Sequence, residues 1–462
     1  MVRLVGDKPD AEPPRDPAWT AAIQTVTDAQ ASAVGVAAYL WSRLDDAAAA
    51  FYRARGSSFD EVAARAGNNL GVVLGELGRS AEALAAYDEV AARYGEDPAP
   101  TLREQVATAL VNKGIRLGAL GRSVETLAAY DEVAARYSED PAPTLREQVA
   151  TALVNKGVTL GALGHSTEAL AAYDEVAARY SENPAPTLRE QVAKALVNKG
   201  AELGALGHST DELAVYDEVA ARYSEDPALR EWVAAALYNK GVTLGALGHS
   251  TDELAVYDEV AARYSENPAP TLREQVAKAL VNKGVTLWTL GRSAEALPVY
   301  DKVAARYGED PAPTLREQVA AALHGKGVTL GALGRSTETL AVYDEVAARY
   351  SENPAPTLRE QVAEALVNKG AELGALGRSA EALAVYDEVA ARYGEDPAPT
   401  LRERVAAALY NKGVTLGALG RSAEAVAVYD EVVARYGEDP APALREVVAR
   451  AVSALQEPGQ EG

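Results

Sequence analysis

Cysteine is absent, so the chain can form no disulfide framework and carries no thiolate nucleophile or thiolate metal ligand. Histidine is scarce, with only His165, His208, His249 and His324. The first three each sit in a Gly-His-Ser tripeptide about one repeat apart, too far to share a metal ion whose ligands lie at roughly 2.0–2.1 Å. Neither a metal nor a cofactor is therefore expected. No run of about 18 apolar residues occurs, so no membrane span is expected. Met1–Pro17 lacks the apolar core of a signal peptide, and the expected location is cytoplasmic. Basic residues are outnumbered, 45 against 67 acidic ones, giving a net charge of −22. That balance opposes nucleic acid or an anionic membrane surface as the main partner and favours solubility. Strand-like alternation is missing as well, which points to an all-α fold.

What the chain has in abundance is one stretch. GRSAEALAAYDEVAARYGEDPAPTLREQVATALVNKGIRLGAL, from Gly78 to Leu120, recurs almost verbatim. Its Tyr-Asp-Glu-Val core begins at Tyr87, Tyr130, Tyr173, Tyr216, Tyr257, Tyr343, Tyr386 and Tyr429, and reads Tyr-Asp-Lys-Val at Tyr300. Copies start 43 residues apart, with one step of 41 between Tyr216 and Tyr257. Self-similarity at such a period marks a stacked array in which each unit touches only its neighbours.

Within a unit the apolar spacing predicts two antiparallel helices, of about nineteen and about sixteen residues. Thr101 and Glu104 read as a capping box opening the first, which points Leu102, Val106, Leu110, Leu117 and Leu120 at the core and ends at Gly121. Ser80 and Ser123 read as N-caps of second helices, with Glu82 in the first turn. Leu84, Tyr87, Val90 and Tyr94 share a face, and Gly95 stops the helix before the stiff connector Asp97-Pro98-Ala99-Pro100. The expected organisation is a disordered tail at 1–16, a degenerate helical cap at 17–57, nine repeats at 58–440, a capping helix at 441–456 and a polar tail at 457–462. The first cap, built around Trp19, Ile23, Leu40 and Phe51, reads as a helical hairpin. The shortened connector Asp226-Pro227-Ala228-Leu229 and the helix-interior Pro298 mark 225–300 as the weakest stretch.

One unit carries Leu153, Gly157, Leu160, Gly164, Ala169 and Tyr173, followed by Pro184. In these residues it resembles the tetratricopeptide repeat, and the resemblance spans about residues 58–456. It implies a right-handed superhelical α-α solenoid of about nine hairpins with helical caps, whose first helices line a concave groove. Small residues at Gly157 and Ala169 allow close helix approach in that family. The unit departs from it in its length, in lysines such as Lys113, Lys156 and Lys199, and in Glu212 and Glu253. Those lysines are expected to pack their stems and reach an acid of the neighbouring helix.

No catalytic constellation stands out. Asp-Glu pairs such as Asp131-Glu132 lie on a solvated face, and Gly157 and Gly161 fall inside a helix instead of a phosphate-binding loop. The expectation is a non-enzymatic scaffold that takes a protein or peptide in its groove, as a monomer or weak homo-oligomer. The alternatives are a structural self-associating protein and a regulatory arm for a separate effector. Gln148, Thr151, Val154, Asn155, Val158 and Gly161 form the stripe that the resemblance places in the groove. It presents an asparagine ladder, Asn69, Asn112, Asn155, Asn198, Asn239, Asn282, Asn368 and Asn411, whose amides both donate and accept. The alternative is that these amides bond to each other or to the adjacent helix. Departures between copies cluster on the same stripe: Trp232, Tyr238, Trp288 and His324, the added Lys194 and Lys278, the reversed Glu364, and Gly325 in place of an asparagine. Trp and Tyr are candidate anchors there, or space-fillers beside the shortened connector.

Overall fold

The structure, a computed structural model, describes residues 16–456. The tail expected at 457–462, and all but the last residue of that expected at 1–16, lie outside them. Twenty-two α-helices and no strand occur among the described residues. They begin with α1 (Asp16–Thr25), α2 (Asp28–Leu40) and α3 (Leu44–Ala54). Hairpins follow: α4 (Asp60–Glu76) with α5 (Ser80–Tyr94), α6 (Pro100–Ala119) with α7 (Ser123–Tyr137), and α8 (Pro143–Ala162) with α9 (Ser166–Tyr180). Next are α10 (Pro186–Ala205), α11 (Ser209–Tyr223), α12 (Arg230–Ala246), α13 (Ser250–Tyr264), α14 (Pro270–Thr289) and α15 (Ser293–Tyr307). The last seven are α16 (Pro313–Ala332), α17 (Ser336–Tyr350), α18 (Pro356–Ala375), α19 (Ser379–Tyr393), α20 (Pro399–Ala418), α21 (Ser422–Tyr436) and α22 (Pro442–Gln456). None is long and apolar enough to cross a membrane.

The N-terminal region holds three helices where a hairpin was expected. Thr27 accepts from the Gln30 backbone N–H at 3.3 Å while Gln30 Oε1 accepts from the Thr27 N–H at 3.0 Å. This capping box starts α2 afresh and separates it from α1.

Contacts divide the chain into two units, with the division between Ala236 and Leu237 inside α12. In the first unit, α4, α6, α8 and α10 each pack on the next first helix in that series. In the second, α14, α16, α18, α20 and α22 do the same. Within each unit, no two second helices approach backbone to backbone among the described residues; side chains near their ends link them, as Arg136 donates to the Gly95 carbonyl at 3.3 Å. The first-helix row is therefore the closely spaced, inner side of each unit.

Each hairpin closes on a tyrosine and a glycine. A Cβ added at Gly114 would lie 2.4 Å from Cε1 of Tyr130, and one at Gly157 would lie 2.5 Å from Cε1 of Tyr173. The same contact recurs from Gly71 with Tyr87 to Gly413 with Tyr429. The rings are buried and fill the space that the missing side chain leaves.

Several expected helix ends are built differently. Gly78, at φ 76°, ends α4 as the left-handed residue of a Schellman motif, with Arg79 N–H donating to Leu74 C=O at 2.8 Å and Gly78 N–H to Gly75 C=O at 3.2 Å. Leu120, the C-cap of α6, is 45% exposed and does not join the core. Thr101 and Glu104 make no capping box: Ala99 is the N-cap and Pro100 the first helical residue. Thr101 instead donates to Glu61 on the preceding first helix at 2.6 Å. Ser80 and Ser123 fall inside their helices behind N-caps Arg79 and Arg122, whose guanidinium groups each grip Glu82 or Glu125 through two bonds of 2.6–2.7 Å. Gly95 has right-handed backbone (φ −58°), as does Ser138 in the next copy, so no glycine is needed there. The connector turn comes from Asp97, whose carboxylate accepts the Ala99 N–H at 2.9 Å, and from the prolines after it.

The register lysines behave as expected. Lys113 reaches Asp88 at 2.6 Å and Lys156 reaches Asp131 at 2.5 Å, each on the preceding second helix. Glu212 and Glu253 are buried, their carboxylates lying over Gly204 and Gly245, where a Cβ would sit 2.8 Å away. Glu253 also accepts from Thr286 at 2.6 Å, and burial pushes its pKa up.

Helix α15 continues through Pro298, which lies on the exposed side but cannot donate a backbone hydrogen bond. The other eight copies have Ala at this register. Pro298→Ala is expected to raise stability by about 1–3 kcal/mol, read as a higher urea midpoint. An unchanged midpoint would mean that this stretch is not the weak link.

Candidate binding groove

In the first unit, the inner faces of α6, α8 and α10 enclose an open cavity of about 590 Å³. Its polar lining includes Thr108, Asn112, Gln148, Asn155, Gln191 and Lys194, and its apolar lining Val111, Ile115 and Val158. Thr151 also lines it, and with Gln148, Asn155 and Val158 belongs to the stripe read from the sequence on α8. The volume falls within the roughly 300–1,000 Å³ typical of ligand pockets.

The asparagines differ in what they do. Asn112 is only 5% exposed, and its Nδ2 has no hydrogen-bond partner. Asn155 lies beside the Tyr130 hydroxyl, whose pKa burial pushes up to about 12. Asn282 donates to the hydroxyls of Tyr238 and Tyr257, both at 3.3 Å. Asn368 lies beside Tyr343. Asn282 thus braces a tyrosine of the adjoining second helix, the alternative noted from the sequence, and Asn155 and Asn368 lie beside theirs. Asn198, Asn239 and Asn411 are half-buried on the same register.

Lys194 borders the cavity, and burial lowers its pKa against the opposing pull of Glu190. Lys278 and Trp232 are half-buried. Tyr238 stacks obliquely on Tyr257, ring centroids 6.3 Å apart, while Trp288 is 38% exposed. His324 is not a free groove residue. Its Nε2 lies 3.7 Å from Glu364 Oε1, the oxygen that Arg404 also reaches at 3.2 Å, and its ring packs on Tyr343. Burial lowers the His324 pKa, Glu364 raises it and Arg404 lowers it.

Two polar residues carry more than was read from the sequence. Gln191 Oε1 is buried and unpartnered in the cavity lining. Its register was visible through Gln148, but its lack of a partner was not. Asn68, one residue before the ladder, donates to the Gln105 carbonyl and side chain at 2.9 and 3.0 Å. His165, His208 and His249 are exposed in their turns, and no group of three metal-ligating side chains occurs among the described residues.

Stacked helical hairpins with an inner row of first helices define the class of α-helical repeat scaffolds. The tetratricopeptide repeat pattern matches residues 281–354 and 367–440, and a second tetratricopeptide pattern matches 63–96. These stretches of the chain are tetratricopeptide repeats, a repeat found generally in non-enzymatic protein-interaction scaffolds. Similar solved structures include the apo form of RapI, with 10% identity and a TM-score of 0.51 over 86% of this chain and 96% of that one. A tetratricopeptide repeat protein from Parabacteroides merdae shows 14% identity and a TM-score of 0.39 over 66% and 98%. No curated protein matches the chain.

Proposed function

We propose that this chain is a non-enzymatic scaffold that holds a protein or peptide segment against its inner first-helix face. The cavity across α6, α8 and α10 carries the reading, because it lies on the side where side chains vary between copies. It also combines apolar walls with polar groups that lack partners. The outer helices offer a more uniform surface of repeated ion pairs, such as Arg179 with Glu175. In the second unit, Trp288 and Tyr238, the latter held by Asn282, act as aromatic anchors.

The test is capture of a partner from native lysate, followed by cross-linking mass spectrometry. Cross-links should fall on the first helices, and a partner mapped to the second helices would reverse the assignment of faces. Trp288→Gly with Tyr238→Val restores the common residues of the repeat. The double variant should lose about tenfold or more in partner affinity, measured by calorimetric titration. Unchanged affinity would remove these two side chains from the binding surface.

A further inference from the structure

Three departures from the repeat meet at one oxygen. Between α6 and α20, the other first helices carry Val or Tyr at the register of His324 and Thr, Ala or Lys at that of Glu364. At the register of Arg404 they carry Gln or Trp. The three residues stand on consecutive first helices of the second unit, α16, α18 and α20. Stacking brings them together: His324 Nε2 lies 3.7 Å from Glu364 Oε1, and Arg404 reaches the same oxygen at 3.2 Å. The imidazole is only 19% exposed, and its buried Nδ1 has no partner. At 3.7 Å its Nε2 is beyond hydrogen-bond distance. A neutral His324 therefore holds nothing, and Glu364 belongs to Arg404.

The other ionisable groups around the ring are already committed. Tyr343 of α17 packs on it, and Tyr300 of α15 lies against Gly325; burial pushes the pKa of both hydroxyls up to about 12. Lys326 of α16 is tied to Asp301 of α15, and Lys369 of α18 to Asp344 of α17. On α14, Lys283 is tied to Asp258, and Lys278 stands about one turn before this register. Glu372 of α18 acts on Tyr343. The charges that act on His324 are Glu364 and Arg404.

We propose that these three residues form a proton-operated exchange on the inner face of the second unit. With His324 neutral, Glu364 joins α18 to α20 through Arg404. A proton on His324 turns Nε2–H into a charged donor facing the same oxygen, and the carboxylate swings to it, joining α16 to α18. Arg404, 40% exposed, is released to solvent. Acid thus moves the tie by one repeat along the row of first helices. Burial opposes a charged imidazole, so the exchange falls on the acid side of the ordinary histidine value.

The test is NMR of the full chain with histidine and arginine side chains labelled with nitrogen-15. Loss of a signal in His324→Val and in Arg404→Gln assigns the two residues. Those variants and Glu364→Ala restore residues that other copies carry, and circular dichroism confirms that they fold. His324 should take its proton with a midpoint below about 6.5. The Arg404 guanidinium signal should shift with that same midpoint, and should stay flat in His324→Val and in Glu364→Ala. Arg404→Gln, which removes the competitor, should raise the His324 midpoint by about one pH unit. An Arg404 signal that stays flat while His324 titrates would overturn the exchange. So would a response that persists in Glu364→Ala, since Arg404 would then sense the imidazole charge through space. An imidazole that remains neutral until the second unit unfolds would overturn it as well.

Discussion

Gly157→Ala is expected to destabilise the protein even though alanine is the better helix former. A methyl group there falls 2.5 Å from Cε1, 2.7 Å from Cζ and 2.9 Å from Cδ1 of Tyr173. The ring is buried and cannot swing into solvent, so either it or the helix has to shift. Overpacking of this kind costs about 1–3 kcal/mol, against about 1 kcal/mol gained in helix propensity. Gly374→Ala makes the opposite case, because nothing lies within 4 Å of its added Cβ and its backbone is helical. It should gain up to about 1 kcal/mol. Urea midpoints should therefore move in opposite directions. Two shifts of the same sign would show that the tyrosine-on-glycine contact does not limit hairpin packing.

His324→Val should make the protein less sensitive to acid. Burial, with Arg404 on α20, holds the imidazole pKa below its ordinary value, against the pull of Glu364 on α18. Tyr343 of α17 packs on the ring. A histidine with a depressed folded pKa binds protons more readily when unfolded. Its contribution is present above the unfolded pKa of about 6.5 and is lost as pH falls through the folded value. Valine, the residue at this register in Val154 and Val367, removes that term. It also removes the buried Nδ1, which has no partner and costs about 1–3 kcal/mol. Urea unfolding should show the variant ahead at about pH 7.5 and further ahead at about pH 5. Parallel pH profiles would mean that His324 does not titrate differently on unfolding.

The helices and their buried faces were legible because a period repeated nine times leaves few alternatives. The close helix approach at Gly157 followed from the resemblance, and the structure fills it with the ring of Tyr173. Partners across the seam between units were not legible. Thr101 and Glu61, His324 and Glu364, and Glu364 and Arg404 are all 40 residues apart. That is one 43-residue period less about one turn, as expected when first helices stack with a slip along their axes. Comparing copies at equal register lines up Glu61 with Glu104 and misses such diagonals. The apparent capping box failed for the same reason: Thr101 has the right local spacing, but Pro100 moves the cap to Ala99 and the hydroxyl finds a distant acid. The shared register of the variable side chains could be read from comparing copies. That Asn282 is already engaged by tyrosines, while Asn112 is not, depends on hydroxyl positions that no sequence pattern encodes.

The separation of the second helices has a mechanical consequence. Because they are joined only by exposed side-chain bonds near their ends, such as Arg136 to Gly95, opening or closing the outer side breaks little, and resistance to bending is concentrated where first helices abut. Each unit is a leaf spring with its leaves clamped along one edge.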